Sequence, residues 1–303
     1  MYKRQIFWSR EDDLQGGYYR PMFVHRVSAG LDAAGGLLVW NHTLVGQSII
    51  AGTSFEPFMV KDGIDSVSVE GVVDMPYPVP NFAVDLHSPR TGIPVLWWRS
   101  VGHSHSAFVV ETMIDELAAA AGKDPVSFRR GLLAKHPREL RTLNLAVEKS
   151  GWGTPLPPDR ARGVAVHQSF ESVVAHVVEA SIEDGKPRVH RVVSAIDCGF
   201  AVNPLTVEAQ VQGAIVFGLS AALHGAITFK DGRVEQSNFH DYPVMRMNEM
   251  PKVEVHIVPT RERPTGVGEP GTPPIAPALA NALFALTGKR IRRLPIAAED
   301  LKA

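Results

Sequence analysis

The stretch Gly266-Val267-Gly268-Glu269-Pro270 carries more information about this chain than any other. It places one carboxylate, that of Glu269, on a backbone with almost no neighbouring side chains. A Pro-rich bend follows, and the apolar run 275–287 behind it predicts a helix that ends at Gly288, with Thr272 as a candidate cap. A lone acid on a stiff Gly/Pro turn is a candidate general base. The competing interpretation is a solvated glutamate in a tight loop.

The composition bounds the class of protein. Hydrophobic residues make up 45% of the 303 residues and charged residues 21%, which is ordinary for a globular chain. The formal net charge of −1 gives no reason to expect nucleic-acid binding. No apolar run reaches the roughly 18 residues that a membrane span needs, so no membrane span is predicted. The N-terminus reads as a strand without a signal-peptide core, and we expect the chain to begin inside a longer natural protein.

Cys198 is the single cysteine of the chain. An internal disulfide is therefore excluded. So is an iron–sulfur cluster of the all-cysteine type held by this chain alone, since that needs four thiolates. If the protein carries out redox chemistry, such electron carriers must belong elsewhere. No histidine or lysine adjoins Cys198 in sequence, so a buried structural thiol is favoured over a nucleophile.

The first half of the chain divides into strands and then helices. The runs 23–32 and 36–45 are strand-like and are joined by a small turn, which predicts a hairpin. Helical spacing follows over 104–150, with further helix starts predicted at Asp124, before a proline, and at Pro137.

The segment 151–162, rich in Gly and Pro, is the clearest linker. Beyond it the chain alternates strands and helices, with a long helix opening at Asn203, a hairpin turn at Asp231-Gly232 and a strand over 252–258. This order predicts an α+β fold with mixed sheets and helices packed on them. The predicted parts are 1–155, a strand-rich lobe followed by helices, and 156–303, a C-terminal lobe that carries Glu269.

Other polar groups offer weaker signals. His103 and His105 stand two residues apart, as metal ligands on a strand do, but the sequence offers no third ligand. Polar histidines that cap the next helix are the favoured interpretation. The paired acids 12–13, 115–116 and 299–300 lack metal-site spacing and are expected on solvated faces. The sequence has no Gly-x-Gly-x-x-Gly that enters a helix directly after a strand, no phosphate-binding loop of the Gly-x-x-x-x-Gly-Lys-Ser/Thr type and no Gly-x-Ser-x-Gly elbow. Their absence argues against a NAD-dependent dehydrogenase and a serine hydrolase.

Several motifs together resemble a known family. Residues 266–292 resemble the C-terminal signature of the molybdenum hydroxylases, the xanthine dehydrogenase and aldehyde oxidase family. The segments 197–204 and 208–219 are similar to that family's Asn-Pro helix and Gln-Val-x-Gly segment. Arg99-Ser-Val-Gly-His-Ser-His, with Gly17-Tyr-Tyr-Arg-Pro upstream, resembles more narrowly the beta subunits of the isoquinoline 1-oxidoreductase type. The resemblance covers nearly the whole chain.

The resemblance implies a molybdopterin cofactor, in bacteria usually molybdopterin cytosine dinucleotide. It implies hydroxylation of an electron-poor carbon of an N-heterocycle or an aldehyde with oxygen from water. Glu269 is then the general base beside the metal, and no protein side chain ligates molybdenum directly. The residues that the resemblance places at the cofactor are Arg99, Ser100, Val101 and Gly102 at the molybdenum end, Gln210 beside an oxygen ligand, and Gly268. Electrons leave through two [2Fe–2S] clusters on a separate small subunit, which agrees with the single cysteine.

Two pterin-binding motifs of the family, Gly-Gly-Gly-Phe-Gly and Gly-Gln-Gly, are absent here. In the isoquinoline type they lie upstream, so the chain resembles the C-terminal part of a subunit whose missing N-terminal half helps to hold the cofactor. The alternative is a non-catalytic, cofactor-free fragment that keeps the fold and binds a partner subunit. Neither substrate nor compartment follows from the sequence, although members of this type are often exported by the twin-arginine route. Four aromatic residues are candidates for a pocket or for plain core: Trp97, Trp98, Phe170 and Phe239.

Overall fold

The computed structural model describes residues 4–301. The helices are α1 (Arg10–Gly16), α2 (Glu56–Met59), α3 (Ser66–Val69), α4 (His103–Ala120), α5 (Pro125–Leu132), α6 (Pro137–Ser150), α7 (Pro204–Leu223) and α8 (Ile275–Thr287), with short 3₁₀ turns at Met247–Glu249 and Ala298–Asp300. The strands are β1 (Phe23–Leu31), β2 (Leu37–Gly46), β3 (Val60–Lys61), β4 (Ile64–Asp65), β5 (Asn81–His87), β6 (Arg160–Ser169), β7 (Ser172–Glu183), β8 (Lys186–Asp197), β9 (Phe229–Lys230), β10 (Arg233–Val234) and β11 (Lys252–Ile257).

The central sheet has the strand order β11-β8-β7-β6 and is mixed. β6, β7 and β8 pair antiparallel, whereas β11 lies parallel to β8. Successive side chains of a strand point to opposite faces. Val174 therefore packs in the core formed with α7 and α8, while its neighbours Val173 and Ala175 pack in the core formed with α4 and α6. Burial of both faces explains why these strands are rich in Val and Ala rather than alternating with charged residues.

A second sheet, of order β1-β2-β5, lies against α4. Trp40 and Leu44 of β2 are fully buried and belong to the same core as Ile114 of α4 and Leu143 of α6. The chain then runs from β5 through an irregular loop into α4. That loop carries the Arg99 segment. Leu86 of β5 before the loop and Ile114 of α4 after it pack in the same core.

A buried carboxylate ties these layers together. Glu111 of α4 accepts hydrogen bonds from the Tyr77 hydroxyl (2.5 Å), Arg129 Nε (2.9 Å) and the Val166 amide (3.0 Å). The backbone oxygen of Glu111 also accepts from the side-chain amide of Asn281 in α8, at 3.4 Å. Because burial of an unpaired carboxylate is costly, this full set of partners holds α4 to α5, to β6 and to α8.

Much of the predicted fold is confirmed. The class is α+β, with mixed sheets and helices packed on them. The predicted helix starts at Asp124, Pro137 and Asn203 are confirmed, and Gly288 ends α8 in a left-handed conformation with φ of 70°. Every predicted hairpin is present. The boundary near residue 155 stays a prediction, although α6 before it packs directly on β7 and β8 after it.

Several local predictions are wrong within the described residues. Asp115, expected on a solvated face, is buried, and Arg290 pairs with its carboxylate at 2.6 Å. Residues 4–8 form no strand, and the chain instead enters α1, capped by Ser9 and Asp12 in a reciprocal pair of hydrogen bonds. Thr272 does not cap α8. The capping position is occupied by Pro274, and the Thr272 hydroxyl has no partner among the described residues.

Helix α7 is long and apolar. Among residues 4–301 it is the one helix whose length and mean hydropathy, 1.2 over its most apolar 18-residue window, match those of a membrane span. The core helix of a water-exposed domain meets the same criterion, and Val211, Ile215 and Leu219 of α7 are fully buried against the central sheet and α8. The sequence was predicted to contain no apolar run of that length. By mean hydropathy α7 does reach it, although Glu208, Gln210 and Gln212 interrupt the run.

Candidate functional site

The first part of the site is the loop that precedes α4. Ser100 and Val101 both adopt left-handed backbone conformations, with φ of 75° and 47°, which residues other than glycine rarely do. The Val101 amide closes the turn by donating to the Trp98 carbonyl at 2.8 Å. Gly102 is the capping residue of α4, and a Cβ atom added to Gly102 would lie 1.9 Å from the Val67 backbone oxygen. Backbone strain of this kind persists only where the surroundings enforce it, and it concentrates at functional sites.

The second part is the turn that carries Glu269. The Gly266 amide donates to the Phe170 carbonyl at 3.2 Å, and the Ser172 hydroxyl donates to the Gly266 oxygen at 2.6 Å. The Thr272 amide donates to the Glu269 carbonyl at 2.9 Å. The central sheet and the start of α8 therefore hold this turn from both ends.

The two parts meet directly. Arg99 Nε donates to the Gly268 carbonyl at 2.8 Å, and a second guanidinium nitrogen contacts the same oxygen. The Ser100 amide donates to Oε1 of Glu269 at 3.0 Å, and the Ser100 hydroxyl donates to the Glu269 backbone oxygen at 2.8 Å. Ser100 thus fixes both the backbone and one carboxylate oxygen of Glu269, which leaves the second oxygen without a partner among the described residues.

Helix α7 contributes a third element. The Arg99 guanidinium donates to both the backbone and the side-chain oxygen of Gln210, each at 3.3 Å. Gln210 itself lies on the exposed side of the helix. Burial lowers the pKa of Arg99, and the Glu269 carboxylate opposes this effect, so the guanidinium stays charged at neutral pH. Arg99 is therefore a fixed cation between Gln210 and the Glu269 turn.

The remaining hydrogen-bonding groups at this junction are mostly donors. Among the described residues, the backbone amides of Gly268 and Glu269 have no acceptor, and neither does the side-chain nitrogen of Gln210. Together with Arg99 they form a rim of amide groups and one cation around a single carboxylate. This set fits a ligand rich in oxygen and negative charge, as the molybdopterin cofactor is.

The residues predicted from the sequence to lie at the cofactor are brought together in part. Arg99, Ser100, Gln210, Gly268 and Glu269 lie together in direct contact. Val101 and Gly102 belong to the same loop, but among the described residues neither makes a hydrogen bond to Glu269; the Val101 amide serves the turn and the Gly102 amide serves another carboxylate. The roles of all seven residues stay predictions.

That other carboxylate, Glu70, was missed by the sequence analysis. Its Oε1 accepts from the Gly102 amide at 2.7 Å, and its Oε2 lies 3.7 Å from His103 Nε2. Burial raises the pKa of Glu70 to about 7. Glu70 belongs to no recognisable motif and stands 32 residues before Gly102, so no local signal in the sequence identifies it.

The histidines occupy the interior rather than a metal site. His103 Nδ1 lies 2.9 Å from His167 Nε2, and His105 Nδ1 lies 3.1 Å from His25 Nε2, which continues to His42. Among the described residues, no group of three or more His, Cys, Asp or Glu side chains is arranged to hold a metal ion. Both histidines lie in the first turn of α4 without capping it, so the capping interpretation is wrong.

The other candidate side chains fall into two groups. Cys198 is buried, and burial raises the pKa of its thiol, as a structural cysteine requires. Of the four aromatic residues, Trp98 is partly buried against Phe217 of α7, with ring centroids 4.7 Å apart, and so borders the Arg99 junction. The other three, Trp97, Phe170 and Phe239, are substantially exposed.

Comparisons with known proteins place this chain in a family. Two family models, both described as molybdopterin cofactor-binding domains, match residues 3–132 and 106–251. The beta subunit of isoquinoline 1-oxidoreductase from Brevundimonas diminuta is 32% identical over 299 residues, which cover 96% of this chain and 38% of that protein. A membrane-bound aldehyde dehydrogenase (pyrroloquinoline-quinone) from Gluconacetobacter polyoxogenes is 29% identical, over 98% of this chain and 42% of that protein.

Solved structures show the same fold. Quinoline 2-oxidoreductase from Pseudomonas putida 86 superimposes with a TM-score of 0.77 at 13% identity, over 97% of this chain and 63% of that chain. The fold and the matched domains define a molybdopterin cofactor-binding region. The chain belongs to the xanthine dehydrogenase and aldehyde oxidase family. It spans about two fifths of the length of the two relatives described above.

Proposed function

We propose that this chain is the catalytic part of a molybdenum hydroxylase large subunit, which hydroxylates an electron-poor carbon of an N-heterocycle or an aldehyde with oxygen from water. The observation that carries the proposal is the position of Glu269. Its carboxylate is held by the Ser100 amide beside the Arg99 guanidinium, at a rim of unpaired donors. A structural glutamate would have its charge neutralised, whereas one oxygen of Glu269 is left free.

The chain's own groups have separable tasks in this proposal. The bound cofactor supplies a Lewis acid that lowers the pKa of coordinated water and accepts electrons. Glu269 takes up a proton at its free carboxylate oxygen. Ser100 keeps that oxygen in place through the other one. Arg99, Gln210 and the amide of Gly268 would hold the anionic cofactor, and Arg99 also holds the Glu269 turn through the Gly268 carbonyl.

The cofactor form and the partners follow from the family resemblance. We propose the cytosine dinucleotide form of molybdopterin, a small subunit with two [2Fe–2S] clusters, and an N-terminal half of the same subunit that completes the cofactor site. The single cysteine supports the assignment of the clusters to a separate subunit, because a [2Fe–2S] cluster of the all-cysteine type needs four thiolates.

The test is to express the large subunit with its upstream half and the small subunit, and to measure molybdenum, pterin and quinone content together with turnover on N-heterocycles and aldehydes. We expect about one molybdenum and one pterin per large subunit. We also expect the oxygen of the hydroxylated product to come from water. A preparation that carries quinone instead of pterin, or that oxidises no compound of either class, contradicts the proposal.

The alternative function is a cofactor-free fragment that binds a partner subunit. It is supported by the absence of the upstream pterin motifs from this chain. The same measurements on the 303-residue chain, both alone and together with its upstream half, separate the two functions. A chain that binds the small subunit but takes up neither molybdenum nor pterin, even with its upstream half supplied, supports the alternative.

A further inference from the structure

Two carboxylates are bound by one strained loop. The Ser100 amide donates to Glu269, and the Gly102 amide, two residues later, donates to Glu70. The intervening Val101 amide closes the turn on Trp98. Three successive amide groups thus have fixed acceptors, and the left-handed conformations of Ser100 and Val101 are what aim the outer two at different carboxylates.

Glu70 also lies at the N-terminus of α4. Helix α4 begins at His103, and its capping residue, Gly102, has no side chain to accept from the first-turn amides. The carboxylate of Glu70 accepts from the Gly102 amide at 2.7 Å instead. A negative charge at the N-terminus of an 18-residue helix is stabilised by the helix dipole, and a charged acceptor forms a stronger bond than a neutral one.

We propose that Glu70 is a positioning residue of the proposed catalytic site. Its ionised carboxylate holds the loop of residues 100–102 in the conformation that presents the Ser100 amide to Glu269. Loss of that charge weakens the Gly102 bond and lets the strained loop relax, so the Ser100–Glu269 contact opens. The effect on catalysis rests on the proposed function, but the contacts of the loop with Glu70 and Glu269 exist without any cofactor.

The surroundings of Glu70 place this change in the neutral range. Burial raises its pKa to about 7, and the amides of Gly102 and His103 oppose the rise, while Asp74 and Asp65 add to it. His103, at 3.7 Å, does not offset the burial, because its own pKa is lowered to about 4 and the ring is neutral at pH 7. Glu70 is therefore charged above about pH 7 and becomes protonated below it.

Hydrogen exchange on the 303-residue chain tests the contact directly. At pH 8 we expect the protection factors of the Ser100 and Gly102 amides to fall about tenfold in Glu70→Gln, which keeps the shape but loses the charge, and further in Glu70→Ala. The matched control is Glu116→Gln, which removes a partly exposed charge from α4, where Glu116 pairs with Arg292. We expect it to leave the protection of both amides unchanged. In the unchanged chain the protection of Ser100 falls between pH 8 and pH 6, and in Glu70→Gln it is flat.

Equal protection of the Ser100 amide in the unchanged chain, Glu70→Gln and Glu70→Ala overturns the inference. So does the same pH dependence with and without the Glu70 carboxylate. The unchanged chain provides the pH series even if Glu70→Ala does not fold. In the assembled holoenzyme, Glu70→Gln is expected to lower kcat several-fold without raising KM and to remove a limb of the pH profile near 7. If exchange responds as expected but Glu269→Gln keeps full turnover, the positioning contact stands and the proposed function fails.

Discussion

The amide of Ser100 donates a 3.0 Å hydrogen bond to Oε1 of Glu269, a residue 169 positions away in sequence. The hydroxyl of the same serine binds the Glu269 backbone at 2.8 Å. This double contact decides where the carboxylate lies and which of its oxygens is free. The loop before α4 and the turn before α8 therefore act as one unit, and a change in either one reaches the carboxylate.

Replacement of Glu269 by Gln removes the proton acceptor but keeps the size of the side chain. The amide oxygen still accepts from Ser100, so the turn is expected to survive. In the full-length enzyme we expect kcat to fall by at least about 10²-fold, with molybdenum content unchanged. Turnover and metal analysis on the same preparation check this. Glu171→Gln, at an exposed residue, is the control, and unchanged turnover in Glu269→Gln would show that Glu269 is not the base.

Replacement of Arg99 by Lys keeps the charge but not the geometry. Arg99 reaches the Gly268 carbonyl and the two oxygens of Gln210 at once, whereas a single ammonium group has no planar fork with which to do so. We expect kcat to fall roughly 10- to 100-fold because the Glu269 turn is held less firmly. Arg263→Lys, on an exposed arginine, should leave kcat within twofold. Equal rates for both variants would contradict a positioning role for the Arg99 guanidinium.

Two glycines in similar helical surroundings are expected to respond oppositely to alanine. At Gly102 a methyl group would lie 1.9 Å from the Val67 backbone oxygen, so the loop must shift and the Ser100–Glu269 contact with it. We expect Gly102→Ala to cost at least about 2 kcal/mol of the free energy of unfolding. At Gly131, inside α5, nothing lies within 4 Å, and Ala is expected to add about 0.5–1 kcal/mol. Chemical denaturation of both variants measures this, and stabilisation at Gly102 would refute the crowding.

Stability is expected to decline on mild acidification. Burial lowers the pKa of His25 to about 3 and that of His42, His103 and His176 to about 4. Below the ordinary pKa of about 6.5 the unfolded chain takes up protons that the folded chain does not. The free energy of unfolding should therefore drop between pH 6.5 and about 4, by up to about 1.4 kcal/mol per pH unit for each such histidine.

The check is a denaturation series from pH 7.5 to pH 5. A single variant, His176→Gln, should make the decline shallower by the share of one histidine. A free energy of unfolding that is constant between pH 7 and pH 5 would mean that these rings are protonated in the folded state.

Local signals in the sequence were sufficient for much of the fold. A proline after Asp124 or Asn203 fixes a helix start whatever surrounds it, and the Asp231-Gly232 turn fixes a hairpin. The Glu269 turn is likewise local, because its glycines and proline are adjacent. Thr272 was assigned wrongly as a cap because Pro273 and Pro274, which follow it, remove the amide donors that its hydroxyl needs.

The arrangement of the site depends on long-range contacts, which could not be predicted from local sequence patterns. The resemblance grouped Arg99, Ser100 and Glu269, but nothing in the sequence shows that Ser100 and Val101 are left-handed, since neither is a glycine. Glu70 has no motif around it, and only the folded chain brings it to Gly102. The position of a carboxylate relative to a loop 32 residues later is a property of packing, which local patterns do not encode.

The buried carboxylate of Glu111 determines how this polypeptide would behave if it were cut in two. Its carboxylate draws on Arg129 before the 151–162 segment and on the Val166 amide after it. A nick in that segment would separate Glu111 from the Val166 amide and expose an apolar face on each fragment. The two pieces should then recover structure only when mixed, which makes this position suitable for a split-protein complementation assay.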